Sequence, residues 1–60
     1  MKLTKEQMIA IATRNLKKAK YAFDHNYNRA GITKQEKENL MNNVEYNQIV
    51  LDLINSQGGN

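Results

Sequence analysis

Apolar residues recur along this chain in two runs of helical period, separated by a short polar break. In the first run Ile9, Ala12, Leu16, Ala19 and Phe23 are spaced three, four, three, four, with Met8 and Tyr27 on the flanks. At 100° per residue they fall within an arc of roughly 100°, which is one stripe of one helix. In the second run Leu40, Val44, Asn47, Leu51 and Ile54 are spaced four, three, four, three. The period predicts a helix over residues 4–28 and another over residues 33–55.

The ends of both runs carry matching signals. Thr4 followed by Gln7, and Thr33 followed by Glu36, each have the spacing of a capping box, in which two side chains satisfy orphan N–H groups reciprocally. Leu3 before the first cap and Met8 in the first turns have the spacing of a hydrophobic staple. Between the runs, Asn28-Arg29-Ala30-Gly31-Ile32 contains the one residue of the link that takes a left-handed conformation freely, Gly31. A link this short folds the second helix back on the first. The expected fold is therefore all-α, an antiparallel two-helix hairpin over residues 1–56, with 57–60 as a flexible tail.

Alternation of size refines the picture. Ala12 and Ala19 are seven apart and separate the larger Ile9, Leu16 and Phe23. Small residues at that interval let a second helix approach closely while the large ones fill the gaps, so the stripe is a helix–helix seam. Asn47 is the polar exception in the facing stripe. It either fixes register or sits at the edge facing water.

Helix 2 carries more apolar surface than one neighbour covers. Tyr46, Ile49, Val50 and Leu53 project off the seam and, with Leu51 and Ile54, widen the apolar arc to roughly 220°. A surplus of that kind marks an interface. Sixty residues without cysteine also make a core too small to be comfortable alone, and self-association is the usual reinforcement for such a chain. The hairpin is thus expected to pair into a four-helix bundle as a homodimer, or to dock on a larger protein, with Tyr46, Ile49, Val50 and Leu53 as the interface. The outline resembles small plasmid copy-number RNA-binding proteins that dimerise as helical hairpins, although no motif corresponds residue by residue. Asn47-Gln48-Ile49-Val50-Leu51 lacks the acidic Ser-Gln-Glu-Leu-Asp signature of hairpin phosphatases.

Charge adds a second surface. The net charge is +3, yet residues 1–29 hold seven basic residues against two acidic ones, while residues 30–60 hold two against four. Arg14, Lys17, Lys18, Tyr21, His25 and Asn28 lie opposite the Ile9–Phe23 stripe. A basic face with an aromatic side chain suits a polyanion, nucleic acid above all. The blander reading is a solvated face whose charge attracts the second helix.

The catalytic inventory is thin. The chain has one serine, Ser56, one histidine, His25, and no cysteine, so no activated nucleophile is assembled. His25 sits where a cation-capable side chain favours a helix C-terminus. No glycine-rich phosphate loop is visible. The expectation is a non-enzymatic, cytoplasmic regulator with no cofactor, metal or small-molecule substrate and no membrane span. It would bind and modulate a larger protein, by inhibition among other means, as compact phage or plasmid proteins do. The alternative is a dimer that binds RNA or DNA through Arg14, Lys17, Lys18, Tyr21 and His25.

Overall fold

The computed structural model of the chain describes residues 2–57. It contains two helices, α1 (Lys5–Asn26) and α2 (Lys34–Ser56), packed against each other as a hairpin. At 1.5 Å rise per residue each is about 34 Å long. The whole molecule measures 46 × 18 × 15 Å, so it is a rod two helices wide.

Both capping boxes form. Thr4 Oγ1 accepts from the Gln7 N–H at 3.0 Å while the Thr4 N–H donates to Gln7 Oε1 at 2.8 Å. Thr33 Oγ1 accepts from the Glu36 N–H at 3.0 Å and the Thr33 N–H donates to Glu36 Oε1 at 3.0 Å. The second box is reinforced by Arg29, whose guanidinium reaches Glu36 Oε2 at 3.3 Å across the loop. Hydrogen bonds from the Thr33 backbone and hydroxyl, opposed in part by burial and helped by the Arg29 charge, hold the Glu36 carboxyl below its ordinary value of 4.5.

A depressed folded-state value means that the ionised carboxylate favours the fold. Its contribution is present above about pH 4.5 and is lost as the pH falls below that. Thr33→Ala should cost about 1 kcal/mol. Glu36→Gln should leave the box in place, because Gln7 fills the same position in α1, yet should remove this part of the acid sensitivity. Acid titration of helicity by circular dichroism checks both. Equal acid profiles for wild type and Glu36→Gln would contradict the assignment.

The first helix is shorter than its periodicity predicts, ending at Asn26 rather than Asn28. Asn26 Nδ2 donates to the Ala22 carbonyl at 2.9 Å, an alternative to the backbone ladder that asparagine offers readily. Two consecutive turns follow, Arg29 N–H to the Asn26 carbonyl and Ile32 N–H to the Arg29 carbonyl. Gly31 has φ +83°, the left-handed conformation expected of it, although it lies within the link rather than directly after the helix. At the other end α2 runs to Ser56, one residue beyond Asn55. The Ser56 hydroxyl donates to the Leu53 carbonyl at 2.9 Å. Of the expected tail only Gln57 is described, and it caps α2; residues 58–60 lie outside the described residues.

The seam is as the spacing predicts, and it is thin. Among the described residues only Ala12, Leu16 and Ala19 are buried, all on α1. Facing them, Leu40, Val44, Leu51 and Ile54 are half-buried, as are Ile9 and Phe23 on the α1 side. Leu3 stays half exposed, so a staple to Met8 does not bury it. Few polar contacts cross between the helices. Lys5 Nζ reaches the Asn55 carbonyl at 3.4 Å at the open end. Near the turn, the Tyr27 hydroxyl meets Met41 Sδ at 3.8 Å, and Lys37 Nζ sits 5.3 Å from the Tyr27 ring centre. Tyr27 also stacks on Phe23, with ring centres 4.5 Å apart. Asn47 is half-buried but turns back on its own helix, donating to the Asn43 carbonyl at 2.7 Å and to Asn43 Oδ1 at 3.0 Å.

Candidate binding surfaces

Helical geometry decides which side chains α2 leaves uncovered. With Leu40, Val44, Leu51 and Ile54 turned to α1, residues at 46, 49 and 53 lie on the opposite, outward arc. Tyr46 is 66% exposed, Ile49 50% and Leu53 56%. Three large apolar side chains at i, i+3 and i+7 on one outward arc form a continuous ridge. Val50, read from the sequence as a fourth member, is half-buried instead. At 100° per residue it falls beside the seam, so it forms the shoulder of the ridge rather than its crest.

The surplus extends past the four residues read from the sequence. Met41, two turns before Ile49, is also half exposed, and Ile11 on α1 is 42% exposed. Phe23 and Val44, with Met41 and with Ile49 where the ridge begins, line an open groove of about 480 Å³ along one side of the hairpin. Its edges are charged, with Lys20 and Asp24 from α1 and Glu45 from α2. A second groove near the turn, about 470 Å³, is lined by Asn26, Arg29, Glu36 and two further asparagines, Asn39 and Asn43. Ile11 and Met41 could have been found in the sequence as isoleucine and methionine lying off the stripes. Their isolation from one another along the chain hid them.

The outer face of α1 is the second surface. Arg14, Lys17, Lys18, Tyr21 and His25 are all exposed, on an arc of roughly 100° opposite the buried Ala12–Leu16–Ala19 line. Tyr21 and His25 stand together, with ring centres 4.0 Å apart and planes tilted by 38°. Asn28 is exposed just beyond the helix, in the turn. Among the described residues the only ion pair within 4.0 Å is Arg29–Glu36, so Arg14, Lys17 and Lys18 keep their charges unneutralised by contact. Asp24, the acidic residue nearest in sequence, lines the groove on the α2 side instead.

Comparison with known protein families, curated proteins and solved structures gave no match. The reading of this chain therefore rests on its own surfaces. Among the described residues no helix is long and apolar enough to cross a membrane. No group of three or more His, Cys, Asp or Glu side chains among them is placed to hold a metal ion.

Proposed function

We propose that this chain is a small non-catalytic binding protein that acts by covering a surface of a larger protein with the outward ridge of α2. Alone, the same ridge pairs with a second copy to give a four-helix bundle. The observation that carries this reading is surface that the hairpin does not hide. A compact protein of 6.9 kDa exposes about 4,000 Å², whereas this chain exposes 4890 Å². The surplus of about 900 Å² comes with the rod shape as a whole, and on the outward arc of α2 its apolar part is Tyr46, Ile49 and Leu53. Shape agrees with area. The radius of gyration is 14.1 Å, against about 10 Å for a globular chain of this length.

Chemistry favours a helical or flat protein partner over a small molecule. The ridge is convex, and small ligands are held in concave sites that bury most of their surface. Its crest is aromatic at one end and aliphatic at the other. Aromatic side chains are the residues on which interface energy concentrates.

The test is molecular mass by light scattering and sedimentation, with Leu53→Asp and Val50→Asp as probes. A carboxylate in the middle of a buried apolar contact should weaken self-association at least about a hundredfold. Both positions are short of full burial in the hairpin, so helicity should persist. A photo-crosslinking residue at position 53 should capture a second copy in the isolated protein and one larger chain in the cell. A wild type that stays monomeric at millimolar concentration, or variants that associate as wild type does, would remove the basis of the reading.

A further inference from the structure

The geometry points to a single-stranded nucleic-acid site on the outer face of α1, with the Tyr21–His25 pair as a stacking platform and Arg14, Lys17 and Lys18 as phosphate contacts. This site is separate from the α2 ridge and does not depend on pairing. The argument begins with what the fold leaves unused. Tyr21 is 66% exposed and points away from the seam, so its ring covers no core. Its neighbour one turn on is His25, and the two rings lie 4.0 Å apart. At that separation, with planes tilted by 38°, the rings lean face to face on one another, and each offers a base its outer face.

Cations occupy the adjoining turn. Lys17 and Lys18 lie four and three residues before Tyr21, and Arg14 lies three before Lys17, so all are nearest neighbours on the helix surface. From Arg14 to His25 the rise is about 16 Å. Along that length a strand can place a base on an outer face of the pair while its flanking phosphates meet the three cations. Every base has a face on which an aromatic ring stacks, and unpaired bases alone offer it, so the platform selects single strands over duplex. An acidic peptide would use the charges and leave the rings idle. The exposed aromatic pair is what favours nucleic acid over it.

The test is fluorescence anisotropy of a labelled twelve-nucleotide oligothymidine with the intact chain at low salt. The same sequence as a duplex and inorganic polyphosphate serve as competitors. Three phosphate contacts predict that log K falls with log salt at a slope of about −2. Charge reversal at Arg14, Lys17 and Lys18 together should abolish binding. Tyr21→Leu should weaken it about tenfold and remove the preference for single strands, while Tyr21→Trp should keep both. All four positions are exposed, and circular dichroism verifies that the helices remain. The inference is overturned by absence of a complex at 20 mM salt, by duplex or polyphosphate competing as well as the single strand, or by Tyr21→Leu binding as wild type does.

Discussion

Leu16→Ala is expected to lower the thermal midpoint of the hairpin by about 10 °C or more, the largest loss of any single truncation in the chain. Leu16 is the only large side chain among the three buried ones, at 7% exposure. Removing three carbons from a buried leucine costs about 2–5 kcal/mol, depending on how far the surroundings close the gap. Here the seam is open along both sides, so its neighbours settle inward and the cost falls near the lower end. In a domain this small each kcal/mol moves the midpoint by about 4–8 °C. Melting followed at 222 nm, at one fixed protein concentration so that any association contributes equally, measures the shift. Leu40→Ala, at a half-buried position, should cost less. A shift below about 3 °C for Leu16→Ala would mean that the helices meet somewhere else.

Ala19→Leu is the opposite experiment at the same seam. Ala19 is 3% exposed and has the smallest side chain that still fills its place between the helices. Helix axes pack 8–10 Å apart only when the residues at the contact permit it. Three more carbons at that point force the helices apart or push side chains off their rotamers, at about 1–3 kcal/mol. The control is Ala10→Leu on the exposed face of the same helix, which should change stability by less than about 0.5 kcal/mol. Were Ala19→Leu to raise the melting temperature, the alanine notch would be an unfilled gap and not a close contact.

Much of this architecture is written in spacing. Both caps could be read because a capping box is a local device: Thr4 and Gln7, or Thr33 and Glu36, need only each other and the first turn. The seam could be read because one helical face repeats at three and four residues, and α1 and α2 do so in step. What the spacing does not contain is how far a neighbour's coverage extends around each helix. Val50 falls under the edge of that cover and Ile49 beyond it, although they are adjacent in sequence. The end of α1 departs from its period for a different reason. Hydrophobic period runs on to Tyr27, whose N–H still reaches the Phe23 carbonyl, but the Arg29 N–H then closes a tighter turn on the Asn26 carbonyl and the helix ends.

The candidate surfaces divide in the same way. Tyr46, Ile49 and Leu53 were legible as surplus because too many apolar residues crowd the last turns of α2. Ile11 and Met41 were not, since each sits beside stripe residues in sequence but off the stripe itself, and Met41 joins Ile49 and Phe23 along one groove only in the folded hairpin. On α1 the basic residues could be counted from the sequence. The contact between the Tyr21 and His25 rings required side-chain placement. The spacing of four made it possible and the structure made it definite. Asn47 stands between these cases. The sequence placed it in the seam, where its amide hydrogens serve its own helix rather than bridging to α1.

Among the described residues all three buried side chains belong to α1, and α2 contributes none. The two helices are therefore unequal in what they can survive. A change on the buried line of α1 strikes the fold itself, whereas α2 meets its neighbour only with half-covered side chains and presents its crest wholly outward. Substitutions along the crest of α2 should therefore leave the scaffold standing, where the same substitutions on the buried line of α1 would not.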